Sequence, residues 1–289
     1  MNQWHNEQGS TIFEVMKWGE ASLEESGRPD AHVDAKLLML YALGCNETKL
    51  LLERQKVMPQ KQREDYCHYI TIRQSGVPLQ HITGTQEFMG LAFKVNEHVL
   101  IPRQDTETLI EQLLNKLSKA DQLKGIDIGT GTGCIGISLA HFLPHLEILL
   151  IDISKEALKV AEENIGLHQL QDRIQILESD RLKGYNGENV DFIVSNPPYI
   201  AQKDMETLMT EVKDHEPHLA LTDHGDGLYF YRQISKEAKN YLKKDGLLAY
   251  EIGYDQGQAV MAILKDEGYH EIVCYKDLAG QDRVVIARK

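Results

Sequence analysis

Residues 125–136 read Gly-Ile-Asp-Ile-Gly-Thr-Gly-Thr-Gly-Cys-Ile-Gly, and this stretch decides the fold. An apolar run ends at Ile128 and is followed by alternating glycines, which is typical of a buried strand that turns tightly into a helix. Residues without a side chain let the backbone approach a ligand, and the N–H groups at the start of the helix point towards it. The sequence therefore predicts a strand, a ligand-binding loop and a helix here.

Strands and helices alternate regularly on both sides of this loop. Apolar runs predict strands at 125–128, 148–151, 174–177, 192–194, 247–251, 271–275 and 283–287. Helical periodicity predicts helices that end near 142, and at 154–167, 227–242 and 256–267. This order is typical of an α/β protein with a doubly wound, mainly parallel sheet, whose ligands bind at the carboxyl ends of the strands. The last two short strands should form an antiparallel edge.

The residues before this region show a different pattern. Segments near 10–27, 31–43 and 60–76 have helical periodicity, which predicts a small helical domain over residues 1–76. Two-residue alternation at 81–84, 87–88, 91–95 and 99–101 predicts a β-hairpin linker over 77–107. Asp105 or Thr106 could then cap a helix at the start of a catalytic domain over 108–289.

Composition excludes several classes of protein. The formal net charge is −13, and most of the acidic excess lies after residue 120, which disfavours binding to extended nucleic acid. The four cysteines are scattered and form no Cys-x-x-Cys pair, so neither a disulfide framework nor a metal site is expected. The sequence has no apolar run long enough to span a membrane and no signal pattern at its start. We therefore expect a cytoplasmic protein without metal.

A second stretch, Asn196-Pro197-Pro198-Tyr199, follows the predicted strand 192–194. Two prolines fix the backbone and remove two N–H donors, so the loop cannot continue the sheet. The Asn196 side-chain oxygen and the Pro197 carbonyl could accept hydrogen bonds from a planar amide or amine nitrogen, and the Tyr199 ring could cover its face. Asn-Pro is also a common turn dipeptide, so this stretch alone leaves a plain turn open.

The glycine loop is compatible with two cofactors. Gly131-x-Gly133-x-x-Gly136 satisfies the dinucleotide fingerprint, and Asp152 is placed to hold a ribose hydroxyl. The pattern Asp-x-Gly-x-Gly-x-Gly instead resembles the first motif of S-adenosylmethionine-dependent methyltransferases. A carboxylate at Asp127 would suit the cationic amino-acid end of that cofactor. A tight turn without a ligand is the third alternative.

Together, the two loops resemble amino-methyltransferases, which modify adenine nitrogens or a glutamine amide. The rest of the chain resembles the peptide chain release factor glutamine methyltransferases, the PrmC/HemK family. The resemblance is carried by 78–84, 87–91, Val99-Leu100-Ile101-Pro102-Arg103, Asp105-Thr106-Glu107, 216–217, 251–256 and Asp277-Leu278-Ala279-Gly280-Gln281-Asp282-Arg283. It implies a Rossmann-like class I fold with a seven-stranded, mostly parallel sheet, preceded by a helical domain that recognises substrate.

The resemblance also implies the reaction and the residues that perform it. The expected reaction is N5-methylation of the glutamine in the Gly-Gly-Gln loop of class 1 release factors, with S-adenosylmethionine as donor and S-adenosylhomocysteine as product. The expected cofactor contacts are Asp127, Gly129, Thr130, Gly131, Thr132, Gly133, Asp152, Asp180, Arg181 and Asn196. The expected catalytic residues are Asn196, Pro197 and Tyr199, and the glutamine would be held by Asn196, Pro197, Pro198 and Tyr199.

Two positions depart from the family pattern. Gln104 stands where the family usually has proline, and Arg181 stands where it often has an aromatic residue that could cover the adenine.

The competing functions are an N6-adenine methyltransferase acting on RNA or DNA, a nicotinamide-dependent oxidoreductase and a non-catalytic binding module. The acidic charge counts against the adenine methyltransferase. The Asn-Pro-Pro-Tyr loop counts against the oxidoreductase, and the complete site counts against the binding module. Glu251 and Asp277 are interpreted as structural or loop-orienting carboxylates.

Overall fold

A computed structural model describes residues 9–289, which form two compact units that divide after Gly84. Within the described residues, the first unit contains five helices: α1 Ile12–Glu25, α2 Ala31–Leu43, α3 Glu47–Glu53, α4 Gln60–Gln74 and α5 Leu79–Thr83. The helical prediction for this region is confirmed. The predicted strand at 81–84 is wrong, because Pro78 begins helix α5 and left-handed Gly84 ends it.

Local signals explain where the long helices of this unit begin and end. Thr11 and Glu14 form a capping box at the start of α1, and Gly44, at φ +57°, ends α2. In the core, Arg73 Nε donates to Asp34 Oδ2 at 2.7 Å. This ion pair is almost fully buried and joins α2 to α4.

The second unit begins with the predicted hairpin, β1 Thr85–Phe88 and β2 Leu91–Lys94. Phe88 and Phe93 belong to the core of this unit, and Asn164 exchanges two hydrogen bonds with the Lys94 backbone. The division after Gly84 therefore differs from the predicted linker over 77–107: residues 77–84 fall in the helical unit and the hairpin in the second. Residues 99–101 form no strand.

Helix α6, Gln104–Lys116, follows the hairpin. Its cap residue is Arg103 in an extended conformation, and no side chain caps it. The predicted capping by Asp105 or Thr106 is therefore wrong, because the helix begins at Gln104 and both residues lie inside its first turn.

Seven strands form one sheet in the described residues: β3 Leu123–Ile128, β4 Leu146–Asp152, β5 Ile174–Glu178, β6 Val190–Ser195, β7 Leu242–Glu251, β8 His270–Lys276 and β9 Asp282–Arg288. Their order is β5-β4-β3-β6-β7-β9-β8, and β9 runs opposite to the other six strands. The predicted mostly parallel α/β sheet with an antiparallel edge is confirmed. The order reverses between β3 and β6, and ligands of such sheets bind at this switch point.

Helices cover both faces of the sheet: α7 Cys134–Phe142, α8 Lys155–Leu167, α11 Tyr229–Ala238 and α12 Gly257–Asp266. The predicted helix over 227–242 is too long, because Val190 pairs with Leu242 and β7 begins there. Between β6 and α11 lie a 3-10 helix, Gln202–Thr207, and the short helices α9 Thr210–His215 and α10 His218–Leu221. No helix between residues 9 and 289 is both long and apolar enough to cross a bilayer.

Candidate active site

A cavity of about 260 Å³ opens at the carboxyl ends of β3, β4 and β6, where the strand order reverses. Predicted residues that line it are Gly129, Gly131, Asp152, Asp180, Arg181, Asn196, Pro197 and Pro198. These residues come from four loops that the sheet brings together. The cavity lies within the second unit.

The glycine loop is fixed by the neighbouring strand. Gly129, Gly131 and Gly133 have φ values of +71°, +55° and +82°, which a residue with a side chain adopts only with strain. Asp152, at the end of β4, accepts hydrogen bonds from Gly131 N and Ser154 N, both at 2.9 Å. Burial raises the pKa of Asp152, whereas these backbone N–H groups oppose the change. Each carboxylate oxygen retains acceptor capacity for a ligand hydroxyl.

Asp127 lies beneath the loop and does not line the cavity. Its Oδ2 accepts hydrogen bonds from the Thr130 hydroxyl at 2.6 Å and from Gly136 N at 3.2 Å. Burial raises the pKa of Asp127 to about 7, because solvent no longer stabilises the charge. Its Oδ1 is buried without a hydrogen-bond partner among residues 9–289. Thr130, Thr132 and Gly133 also lie outside the lining of the cavity, so they support the loop in this structure.

Arg181 lines the cavity but its guanidinium already has partners. It donates to Asp180 Oδ1 at 2.6 Å and to Glu237 Oε1 at 3.1 Å, and only 8% of its side chain is exposed. The guanidinium carbon lies 5.8 Å from the centre of the Tyr229 ring. Tyr229 and Phe230 line the cavity as well, and the sequence analysis missed both. The sequence has three consecutive aromatic residues at 229–231, and one buried helix face cannot take up all three. This run could have indicated that some of them line a cavity.

Asn196 and the two prolines line the cavity beyond β6. Ser195 Oγ donates to Ile128 O at 2.7 Å, which joins this loop to the strand before the glycine loop. Asn196 Nδ2 donates to Thr106 Oγ1 at 3.5 Å. The side-chain nitrogen is therefore directed towards α6.

Tyr199 is largely buried behind the loop and is absent from the described lining of the cavity. Its hydroxyl lies 3.5 Å from Glu251 Oε1, and its carbonyl accepts a hydrogen bond from Gln256 Nε2 at 2.9 Å. Burial raises the pKa of Tyr199, so the phenol stays neutral. In this structure Tyr199 supports the loop from behind, and a contact with substrate is still a prediction.

The opposite wall contains residues that the sequence analysis did not assign to the site. They are His98, Val99 and Leu100, before α6, and Pro217, Leu219 and Ala220, around α10. An ion pair between Arg103 and buried Glu216 joins these two segments. Burial raises the pKa of Glu216, and Arg103 opposes this effect. Both residues belong to motifs quoted above, which was the available signal.

The site therefore combines two chemistries in one cavity. Carboxylates at Asp152 and Asp180 can accept hydrogen bonds from a polyhydroxylated or amino-bearing cofactor. The oxygen of Asn196 and the carbonyls of the proline loop can accept hydrogen bonds from a planar nitrogen. No group of three or more potential metal-ligating side chains occurs in the described part of the chain.

Comparison with known proteins agrees with this geometry. Residues 104–226 match the family model "Methyltransferase small domain", and residues 14–84 match "PrmC N-terminal domain". The chain is 40% identical over 273 residues to a release factor glutamine methyltransferase of Clostridium botulinum, covering 94% of this chain and 96% of that protein. It is 38% identical over 284 residues to the protein of that name in Bacillus subtilis, covering 96% and 97%.

Solved structures show the fold. A methyltransferase from Pyrococcus furiosus is similar with a TM-score of 0.53 and 16% identity, over 76% of this chain and 98% of that one. The catalytic domain of hMettl16, solved with an RNA hairpin, is similar with a TM-score of 0.54 and 18% identity, over 76% and 80%. Both show the fold at low sequence identity.

Proposed function

The chain belongs to the release factor glutamine methyltransferase family, and on that premise we propose that it methylates N5 of the glutamine in the Gly-Gly-Gln motif of class 1 peptide chain release factors. Methylation of a release factor glutamine with S-adenosylmethionine as donor follows from family membership. The motif and the class of factor are what the proposal adds. The observation that carries it is the 38–40% identity to such enzymes over nearly the whole chain.

The residues of the cavity fit S-adenosylmethionine. Asp152 has free lone pairs for the ribose hydroxyls, and Tyr229 and Phe230 offer flat apolar surface for a purine at the cavity wall. Buried Asp127 lies outside the lining of the cavity and accepts hydrogen bonds from Thr130 and Gly136, so it supports the glycine loop that would contact the cofactor. When bound, the cofactor supplies an electrophilic methyl group on a sulfonium sulfur.

The chain's own contribution is to hold and polarise the glutamine. A carboxamide nitrogen is a weak nucleophile because its lone pair is delocalised. We infer that Asn196 Oδ1 and the Pro197 carbonyl accept hydrogen bonds from the two amide protons, which favours the more cation-like nitrogen of the transition state. Pro198 fixes the loop, and Tyr199 supports it through Glu251 and Gln256.

Methyl-transfer assays test this proposal. Radiolabelled S-adenosylmethionine is incubated with the enzyme and a purified class 1 release factor, its Gly-Gly-Gln Gln→Ala form, or total RNA. We expect label only in the intact release factor. Label in the Gln→Ala factor would refute the target residue, and label in RNA would favour the adenine methyltransferase instead.

A variant tests the role of Asn196. Asn196→Ala should lower kcat by about 100- to 1,000-fold, as when one transition-state hydrogen bond is removed. Calorimetry should show S-adenosylhomocysteine affinity largely retained. Exposed Asn240→Ala is the matched control and should behave as wild type. Turnover of Asn196→Ala close to that of the control would refute the assignment.

We also propose that the helical domain, predicted over residues 1–76, recognises the release factor, because residues 14–84 match the model "PrmC N-terminal domain" and the cavity is lined by residues of the second unit. Hydrogen exchange in helices α1–α4 should slow when release factor is added, and unchanged exchange would contradict the proposal.

An enzyme that modifies release factors has to share their compartment, so we propose that it acts in the cytoplasm.

A further inference from the structure

Gln256 stands at the N-cap position of helix α12, but within the described chain its side chain makes no capping hydrogen bond. Short polar side chains are preferred at this position because they accept a hydrogen bond from the backbone of their own helix. The side chain of Gln256 is partly buried and directed elsewhere. Its hydrogen bonds therefore serve a contact other than the helix that it precedes.

The amide nitrogen of Gln256 joins two segments next to the cavity. Nε2 donates to the Tyr199 carbonyl at 2.9 Å and to the Gly227 carbonyl at 3.3 Å. Tyr199 directly follows Pro198, which lines the cavity, and Gly227 lies two residues before Tyr229, which also lines it. One NH₂ group therefore holds the end of the Asn-Pro-Pro-Tyr loop beside the start of α11.

The orientation of the Gln256 carboxamide is decided by the chemistry of its partners. Both partners of Nε2 are carbonyl oxygens, which can only accept. Oε1 accepts from Gly253 N at 3.0 Å, and a backbone N–H can only donate. Turning the amide over would place Oε1 against two carbonyl oxygens and Nε2 against an N–H group. The carboxamide therefore has one orientation.

The two segments are in close contact where Gln256 joins them. A Cβ added to Gly227 would overlap the Tyr199 carbonyl oxygen, so no side chain fits between the segments. Two backbone hydrogen bonds, both at 3.0 Å, join residues 200–202 to residues 221–225 and continue the contact. Gln256 is thus a link at the end of this contact that is nearest in sequence to the cavity lining.

The start of α11 has a second anchor. The Asp223 carboxylate accepts hydrogen bonds from Gly227 N and Tyr229 N, both at 3.0 Å. Loss of the Gln256 amide would therefore leave the start of α11 held by Asp223 while releasing the carbonyl of Tyr199. The Asn-Pro-Pro-Tyr loop should be affected more than the wall that contains Tyr229.

We propose that Gln256 is a positioning residue that fixes the Asn-Pro-Pro-Tyr loop, which would hold the glutamine, relative to the wall of Tyr229 and Phe230, which would contact the cofactor. Methyl transfer needs nitrogen, methyl carbon and sulfur in line, and a displacement of about 1 Å can cost about 100-fold in rate. The proposal rests on the function proposed above. Gln256 is absent from the described lining of the cavity, so it acts through the loop and not on the substrate itself.

Kinetics of Gln256→Met test the proposal, since methionine keeps the length of the side chain and removes both N–H donors. We expect kcat to fall by about 10- to 100-fold, because the nitrogen is no longer held in line. KM for release factor and the affinity for S-adenosylhomocysteine should stay within about threefold of wild type. Calorimetry should still find close to one cofactor site per chain, which shows that the variant is folded.

Gln258→Met, at an exposed residue of the same helix, is the matched control and should keep the kcat of wild type. A kcat for Gln256→Met within about twofold of that control would overturn the proposal, and so would a lower cofactor affinity with unchanged kcat. Gln256→Glu is a second variant that keeps the shape and the acceptor for Gly253 N, but places an oxygen against two carbonyl oxygens. Its kcat should also fall, and wild-type turnover would show that the N–H donors are not needed.

Hydrogen exchange tests the link without turnover. The amides of Ile200 and Gln202 should exchange about threefold faster or more in Gln256→Met than in Gln258→Met, because they follow the released carbonyl of Tyr199. Equal exchange in the two variants would overturn the link. If wild type does not label release factor, the proposed function is refuted, and the exchange experiment still decides whether Gln256 holds the loop.

Discussion

Replacing Asp127 by asparagine should increase stability at neutral pH and remove part of the pH dependence of unfolding. The folded protein holds this carboxyl fully buried, and burial raises its pKa to about 7 from an ordinary value near 4. Between these two values the folded chain keeps a proton that the unfolded chain has released. Stability from this group is therefore present at acid pH and is lost as the pH rises through about 7.

The structure sets the size of the effect. Each pH unit in this window changes the free energy of unfolding by about 1.4 kcal/mol, so raising the pH from about 5.5 to about 7.5 removes roughly 2 kcal/mol through Asp127. Asparagine can keep one oxygen as acceptor for the Thr130 hydroxyl and Gly136 N, and it places its NH₂ group where Oδ1 has no partner. Because asparagine does not titrate, Asp127→Asn should lack this pH-dependent contribution to the free energy of unfolding.

Urea unfolding at several pH values measures the contribution of Asp127 to the free energy of unfolding. Both tryptophans of the chain precede residue 84, so their fluorescence does not report directly on the second unit, whereas circular dichroism follows both units. The difference in stability between Asp127→Asn and wild type should grow by about 2 kcal/mol across the window in the second unit only. Exposed Asp172→Asn removes the same charge and should show no such change. A pH-independent difference for Asp127→Asn would show that Asp127 is ionised throughout, and would refute the reasoning.

Two further substitutions have definite expected outcomes. Gly227→Ala places a Cβ 2.3 Å from the Tyr199 carbonyl oxygen at φ +78°, so thermal unfolding and kinetics should show a loss of about 1–3 kcal/mol together with a lower kcat. Gln104→Pro should stabilise the protein by about 0.4–1 kcal/mol, or about 1–4 °C in Tm, because residue 104 is the first of α6 and Arg103 already has an extended conformation suited to precede proline.

Each has a matched control. The nearest atom to a Cβ at Gly225 is Asp223 Oδ1, at an ordinary contact distance of 3.5 Å, so Gly225→Ala should leave kcat and Tm close to wild type. Equal effects at 225 and 227 would refute the steric explanation. Gln104→Ala removes the side chain without fixing φ. If it raises Tm as much as Gln104→Pro, backbone restriction is not the cause.

The sheet was predictable because its strands are covered by helices on both faces, and such strands appear in the sequence as apolar runs. Elements of five to seven residues, such as α3 and α5, contain too few turns for a period to be recognised. Strand β7 begins at Leu242, where pairing with β6 starts, although the helical pattern was expected to continue to residue 242.

The glycine loop and the Asn196 loop were predictable because each is a contiguous motif at the end of a strand. Contacts between distant residues were not. Thr106 and Asn196 are separated by 90 residues, and only the fold brings them together. The wall formed by Tyr229 and Phe230 depends likewise on where α11 lies, which a local pattern does not give.

The position of β9 between β7 and β8 has a consequence for how the sheet opens. Strand β8 has no other neighbour in the sheet, so it keeps its hydrogen bonds only while β9 is in place. The β8–β9 hairpin should therefore detach as one cooperative unit, with amide protons of β8 exchanging no more slowly than those that β9 donates to β7. Such an opening would also break the ion pair between Arg283 and Asp105 in α6. Transient fraying at this edge would therefore remove a contact from the helix that contains Thr106.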